Sequence, residues 1–393
     1  MLSMMLTICS MNSPPLLSNS KDCPVVKSSK RFCLTLFKMP LLKGWWRGLS
    51  WMEMEAGGGC LVNDTGTDVI LPSFPRLREL IVGHCKSMTY FPPCPHLKEL
   101  DLYSVNDALN FCMKEGLHNP SPVTSTSTAS SLSSSSHNPS LCLEYLNIDN
   151  PRVFNILFED FVGGAVHVQI DHFVRVESMG TVSKGFEKCE SSIRHLTLNS
   201  CKELTTLSGS GIEHLLYLKS LTIEYCENLD LEYLDCWGAR HITLENLSSL
   251  SLVGLLKLET LPWRFIHLSS LESLQIEWCC NLEVLGECIG HITTLRSLQI
   301  EGCHNLKALP ECLKSLTPLK FLHISYCSGL KSLPEAMRHL TSLTTLKIIY
   351  ASEELVKRCQ KPDGEDWPKV CHIPDVYVTG HTGTWTHMLA KYY

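Results

Sequence analysis

The sequence contains no run of about 18 consecutive apolar residues, so no segment reads as a bilayer span. It also lacks an excess of positive charge. Its 34 lysines and arginines face 40 aspartates and glutamates, for a net charge of −6. Without a basic field, neither a nucleic-acid backbone nor an anionic membrane surface is favoured as a partner. The apolar opening MLSMMLTICSM has no lysine or arginine ahead of it and runs into Asn12, Ser13, Pro14 and Pro15, which is not how a cleaved leader is built. Cysteine, by contrast, is plentiful, at 20 in 393 residues. That density is still below the range of small disulfide scaffolds, and with no leader the expectation is reduced thiols in a cytoplasmic protein.

Motifs for catalysis are missing as well. There is no Gly-x-x-x-x-Gly-Lys-Ser/Thr loop to cradle phosphates, no nucleophile elbow, no kinase catalytic loop and no His-Glu-x-x-His. Gly57-Gly58-Gly59 and Ser208-Gly209-Ser210-Gly211 are not followed by the lysine of a phosphate loop, so both read as turns. A metal could be argued only at the vicinal Cys279-Cys280 and at Cys359, Cys371, His372 and His381. These lack the clustered spacing of zinc ligands and read as packing and surface residues. The expectation is no enzyme, no cofactor and no metal.

What is present is a repeat. Leu271, Leu274, Ile276, Cys279, Leu282 and Leu285 recur 24 residues later as Leu295, Leu298, Ile300, Cys303, Leu306 and Leu309, and again as Leu319, Leu322, Ile324, Cys327, Leu330 and Leu333. A unit precedes at Leu247, Leu250, Leu252, Leu255, Leu258 and Leu261, and Leu343, Leu346 and Ile348 follow before the pattern stops at Tyr350. Looser copies begin at Ile193 and Leu218, with extra residues from Asp230 to Asn246. Earlier ones centre on Leu143, Leu97 and Leu77, with a faint unit around Leu34, Leu36, Met39 and Leu42.

Leu-x-x-Leu-x-Ile-x-x-Cys-x-x-Leu-x-x-Leu is the leucine-rich repeat, in which Leu-x-Ile is a short strand with both apolar side chains on one face. The fold class expected is an α/β solenoid: a curved leucine-rich-repeat horseshoe with a parallel sheet on its concave face. Leu261-Pro262, Leu309-Pro310 and Leu333-Pro334 punctuate the return path, since proline fixes φ and donates no hydrogen bond. The convex side should therefore be irregular. The recurring cysteines, Cys85, Cys201, Cys226, Cys279, Cys303 and Cys327, are expected as small buried fillers.

The domain organisation expected is a polar segment at 1–29, degenerate repeats at 30–118, a loop at 119–140, repeats at 141–350 and a C-terminal cap and tail at 351–393. Ten of the 22 residues at 119–140 are serine and none is charged, a composition that cannot bury enough surface to order itself. Residues 151–190 hold strand-like runs, Val166, Val168, Ile170 and Phe173, Val174, Val176, that do not phase onto the ladder and read as degenerate repeats. In the cap, Ser352 is placed to begin a short helix with Glu353 and Glu354 in its first turn and Lys357 and Arg358 in its last. Trp367 and Ile373 are expected to cover the open end.

The candidate site is the exposed face of the sheet. The second residue after each Leu-x-Ile pair runs Tyr225, Gly254, Trp278, Gly302, Tyr326, Tyr350, and the residue before it includes Glu224, Glu277 and Glu301. Thr222, Gln275, Gln299, His323 and Lys347 add varied polar groups between the buried pairs. An aromatic and acidic stripe of this kind suits protein recognition. The alternative is that the aromatics only cover neighbouring strands.

These features resemble the C-terminal region of plant nucleotide-binding leucine-rich-repeat disease-resistance proteins of the coiled-coil type. The resemblance is carried by LQIEGCHNLKALPECLKSLTPLKFL from Leu298, by MPLLKGWWRG at 39–48 and, most specifically, by Leu355-Val356-Lys357-Arg358-Cys359 followed by GEDWPKVCHIPD at 364–375. It covers about residues 30–375. It implies a role in innate immunity, with a pathogen effector or a guarded host protein as partner and other receptor domains as further partners. Nucleotide binding is not carried over, because the sequence holds no phosphate loop. A stand-alone adaptor or decoy, such as a ubiquitin-ligase substrate adaptor, and a fragment of a longer gene remain as alternatives.

Overall fold

A computed structural model describes residues 33–37, 77–111 apart from 89, 92, 93 and 95, 141–160, 162–171, 183–188, 192–207, 211–232 and 244–380. The segment 1–29, the MPLLKGWWRG motif, the serine-rich loop, the run Phe173–Val176 and His381 lie outside the described residues. The chain divides into two compact units, 1–167 and 168–393.

In the first unit, β1 (Cys33–Phe37), β2 (Glu79–Gly83), β4 (Glu99–Tyr103) and β6 (Leu141–Ile148) pair in parallel in that order. The short strands β3 (Tyr90–Phe91) and β5 (Asn110–Phe111) pair with each other on the return path. Leu80, Leu100 and Leu146 stand in register, as do Val82, Leu102 and Ile148, and all six are fully buried. After β6 the return path is an α-helix, α1 (Pro151–Asp160). Asn150 Oδ1 accepts from the amides of Arg152 and Val153 at 3.0 and 3.2 Å, and Pro151 enters the first turn without losing a hydrogen bond. Val153, Phe154, Leu157 and Phe158 are buried at the spacing of one helix face. Residues 151–190 thus do not consist of strand-like runs alone. Val166, Val168 and Ile170 fall in β7 (Val162–Asp171), within which the two units divide.

In the second unit, the end of β7 is followed by the short helix α2 (Ser183–Lys188) and then by the regular ladder. Parallel strands β8 (His195–Asn199), β9 (Ser220–Glu224), β10 (Ser249–Val253), β11 (Ser273–Glu277), β12 (Ser297–Glu301), β13 (Phe321–Ser325) and β14 (Thr345–Ala351) pair in chain order. Leu221, Leu250, Leu274, Leu298, Leu322 and Leu346 form one fully buried column. Burying each contributes about 1.5–3 kcal/mol, but only against the neighbouring repeats, so stability is collective. The fold is the expected leucine-rich-repeat solenoid.

From β10 to β14 the return paths carry 3₁₀ turns at Trp263–His267, Glu287–His291, Glu311–Ser315 and Glu335–His339. Proline precedes three of them. Its carbonyl, not its missing N–H, enters the hydrogen bonding: Pro262, Pro310 and Pro334 accept from Phe265, Leu313 and Met337 at 3.0, 3.2 and 3.3 Å. The irregular convex side follows from this short-period geometry.

The recurring cysteines are buried. The thiols of Cys279, Cys303 and Cys327 reach back to the carbonyls of Glu277, Glu301 and Ser325 at 3.5, 3.5 and 3.3 Å. Cys279 and Cys327 also approach carbonyls of the preceding strand, Leu252 and Ile300, at 3.7 and 3.8 Å. Burial pushes both thiols up to about 12.

The repeat pattern stops at Tyr350, but the sheet does not. A further strand, β15 (Asp375–Gly380), pairs in parallel with β14, placing Val376 beside Leu346 and Val378 beside Ile348. The chain reaches it through α3 (Glu353–Arg358) and α4 (Trp367–Val370) instead of a 3₁₀ turn. Ser352 caps α3 as its sequence implies, its hydroxyl accepting from the Leu355 amide at 3.3 Å. Ile373 is buried, whereas Trp367 is half-buried.

Candidate protein-binding surface

Period-two alternation sends Leu274 and Ile276 inward and Gln275 and Glu277 outward. Continued by one residue, it would bury Trp278. Instead Trp278 takes φ 54°, in the left-handed region, and Cys279 takes the inward place. The same conformation recurs at Ser200, Tyr225, Gly254, Gly302, Tyr326 and Tyr350, with φ between 52° and 66°. A non-glycine residue there carries a backbone penalty of about 1–2 kcal/mol. Of these residues, those that precede Tyr350 in turn extend the sheet's hydrogen bonding. The amides of Tyr225, Gly254, Trp278, Gly302 and Tyr326 donate to Val253, Glu277, Glu301, Ser325 and Ile349 of the next strand at 2.8, 2.8, 2.8, 2.9 and 3.1 Å. The left-handed residue thus completes the ladder and turns its own side chain away from the core.

The result is a row of aromatic rings with glycines between them. A Cβ at Gly302 would lie 2.4 Å from Trp278 Cε3, and one at Gly254 would lie 2.6 Å from Tyr225 Cδ1. The rings of Tyr225 and Trp278 therefore occupy the space that the glycine of the following repeat leaves empty. Across Gly302, Trp278 reaches Tyr326 with ring centroids 6.1 Å apart, and Tyr326 stacks on Tyr350 at 4.4 Å with an interplanar angle of 21°. Burial and a hydrogen bond with Tyr350 push the Tyr326 phenol up to about 12. His304 meets the Trp278 ring edge-on at 6.3 Å, and burial lowers its imidazole.

Beside this row, Glu277 and Glu301 stand in register on β11 and β12. Gln275 donates to Glu277. Burial, then the charge of Glu277, raises the Glu301 carboxyl. In the middle column, Gln275, Gln299, His323 and Lys347 follow one another across four strands. Burial, then Lys347, lowers the His323 imidazole. Lys347 Nζ lies 5.8 Å from the centroid of Phe321.

The structure thus brings Gln275, Glu277, Trp278, Gln299, Glu301, His323, Tyr326, Lys347 and Tyr350 onto one half-buried face of strands β11 to β14. Glu224 and Tyr225 lie on β9 and its turn, separated from that group by β10, where Val253 and Gly254 hold the corresponding positions. Sequence reasoning missed Phe321 and His304. Phe321 stands where β9 to β12 carry serine, and that break in the column is a signal. His304 follows the buried cysteine, where the repeat prescribes nothing.

Among the described residues, no group of three or more His, Cys, Asp or Glu side chains could hold a metal. Among them, too, no helix is long and apolar enough to cross a membrane.

No family model matches the chain, and no curated protein matches it. Solved structures do. The leucine-rich-repeat domain of the type III effector XopL is 22% identical, over 54% of this chain and 76% of that one, with a TM-score of 0.38. The functional domain of InlJ from Listeria monocytogenes, which includes a cysteine ladder, is 12% identical over 78% of this chain and 58% of that one, with a TM-score of 0.36. TLR13, in a complex with ssRNA13, is 17% identical over 78% of this chain and 51% of that one, with a TM-score of 0.33. The class of protein is defined by this chain's own ladder: it is a leucine-rich-repeat protein.

Proposed function

We propose that this chain is a protein-recognition region of plant innate immunity, acting in the cytoplasm and binding a pathogen effector or a guarded host protein through the face of β11 to β14. The observation that carries the recognition reading is the aromatic row Trp278, Tyr326 and Tyr350. Three large rings lie half-buried along one edge of a rigid sheet, with Gly302 admitting one of them. Rings offer contact area at low entropic cost and dominate interface energetics. The immune assignment is supported by the resemblance of the tail, whose GEDWPK segment supplies Asp366 and Lys369 to an ion-pair network around the buried Asp366 carboxylate.

The test is a double substitution, Trp278→Ala with Tyr326→Ala. A partner is first selected from libraries of secreted pathogen proteins and host proteins, then measured with purified components. The double variant should lose at least about tenfold in affinity, or 1.4 kcal/mol, while its thermal midpoint stays close to that of the wild type. A partner that binds both forms equally would remove this face from the proposal.

A further inference from the structure

The aromatic row does not account for the two carboxylates beside it. Glu277 and Glu301 are directly opposed on adjacent parallel strands, where like charges are unfavourable. Among the described residues, no lysine, arginine or histidine forms an ion pair with either carboxylate. Nearby cations are engaged elsewhere: Arg296 pairs with Glu272 at 3.6 Å, Lys307 with Glu283 at 2.6 Å, and Lys347 lies over Phe321. The pair is also half-buried, and the Glu301 carboxyl is raised by that burial and by its neighbour's charge. His323 on β13 also feels the charge of Glu277, but burial and Lys347 lower its imidazole, so the two opposed carboxylates have no ion-pair partner among the described residues and are complementary to a cation from outside.

The aromatic side of the site narrows the choice of cation. Trp278 follows Glu277 directly and is fixed across Gly302, the residue after Glu301, so the indole and the two carboxylates border the same patch. Guanidinium is planar, takes carboxylate oxygens in pairs and stacks on aromatic rings, whereas ammonium is a compact, strongly hydrated point charge. We infer that Glu277, Glu301 and Trp278 together receive an arginine side chain of the partner, so that the polypeptide segment docking on β11 and β12 is basic. The inference rests on the recognition reading of this face and adds the chemistry of what is recognised.

The experiment is isothermal titration of the full chain, at low salt, with acetyl-Gly-Arg-Gly-Arg-Gly-amide and with its lysine and glutamate counterparts. The arginine peptide should bind, the lysine peptide more weakly and the glutamate peptide not at all. The isosteric double variant Glu277→Gln, Glu301→Gln should weaken the arginine peptide about tenfold with an unchanged or higher thermal midpoint. Equal binding to wild type and variant, equal binding of the lysine and arginine peptides, or no binding of the arginine peptide would each overturn the inference. The partner used for the Trp278→Ala, Tyr326→Ala test separates the two readings. If it requires the rings but binds the glutamine variant normally, the arginine site fails and the recognition face stands. If it requires neither, both fail.

Discussion

Arg358 grips Asp366 through two contacts, Nε to Oδ2 and Nη2 to Oδ1, each 3.0 Å. Asp366 is fully buried, and three further interactions converge here. The Leu333 amide donates to Oδ2 at 2.9 Å, Lys369 Nζ lies 2.9 Å from Oδ1, and the same ammonium donates to the Leu333 carbonyl at 2.6 Å. One carboxylate therefore ties α3, α4 and the Leu333-Pro334 turn of the last full repeat together. This gives the tail signature a physical reason: Arg358, Asp366 and Lys369 are spaced to close one network, with Glu365 on the outer nitrogen of Arg358.

Removing that carboxylate should loosen the end of the solenoid in a pH-dependent way. Asp366→Ala leaves the buried Leu333 amide without its acceptor, a cost of about 1–3 kcal/mol. Burial pushes the Asp366 carboxyl up, but hydrogen bonds from Arg358, the Leu333 amide and Lys369 outweigh it, so the net shift is down. The unfolded carboxyl then binds more protons than the folded one. The stabilisation is complete above the ordinary aspartate range and is lost as pH falls through the folded value. Thermal midpoints measured downward from neutral pH should fall faster for wild type than for Asp366→Ala, and the two curves should converge in acid. Parallel curves would remove Asp366 from this role.

Gly302→Ala tests the seating of Trp278. Left-handed φ costs a non-glycine residue about 1–2 kcal/mol, a penalty that Trp278, Tyr326 and Tyr350 already bear at the same repeat position. The larger obstacle is the ring, because a Cβ would lie 2.4 Å from Trp278 Cε3. The indole must move, with a loss of about 1–3 kcal/mol typical of overpacking and a change in near-ultraviolet circular dichroism. Gly302→Ala combined with Trp278→Ala should recover most of that loss. No recovery would mean that the backbone, not the ring, requires glycine.

The buried ladder was legible because each Leu-x-Ile pair is covered by both neighbours, which forces the same residue types at a 24-residue spacing. Where a segment has one neighbour or a different return path, that constraint relaxes. β15 went unread because Leu346 and its partner Val376 are 30 residues apart, and Val376 and Val378 are only half-buried. The helix α1 carried its own signals, Asn150-Pro151 and the spacing of Val153, Phe154, Leu157 and Phe158, but the β-branched runs after it drew the segment toward strands. At the candidate face, the order of residues was legible and its cause was not. Only the left-handed turn shows that Trp278 escapes the core, and only the ring positions show that Gly302 is a space filled from the preceding repeat.

Thiol chemistry should separate the ladder cysteines from the surface. Cys279 and Cys327 are pushed up to about 12 by burial, which leaves on the order of one thiolate in 10⁴ at about pH 8. Cys371 is exposed. Iodoacetamide followed by mass spectrometry should mark Cys371 in the folded protein. Cys85, Cys201, Cys226, Cys279, Cys303 and Cys327 should react only once denaturant unfolds the chain. Early labelling of Cys279 would mean that the turn carrying Trp278 opens under native conditions.

Two truncations test the end of the solenoid. Ending the chain after Tyr350 removes α3, α4 and β15, and with them the buried Leu355, Val370 and Ile373, each about 1.5–3 kcal/mol of burial. It also leaves Leu333 without Asp366 and Lys369, and turns β14 into an edge whose Leu346 and Ile348 have lost their neighbour. An uncovered parallel edge with an apolar underside is a template for association. Ending the chain after Gly380 keeps every one of those contacts. Light scattering on a size-exclusion column should therefore find the Tyr350 truncation aggregated and the Gly380 truncation in the same state as the full chain. A monomeric, soluble Tyr350 truncation would show that the repeats close their own end and that the Arg358–Asp366 network serves something other than the solenoid's integrity.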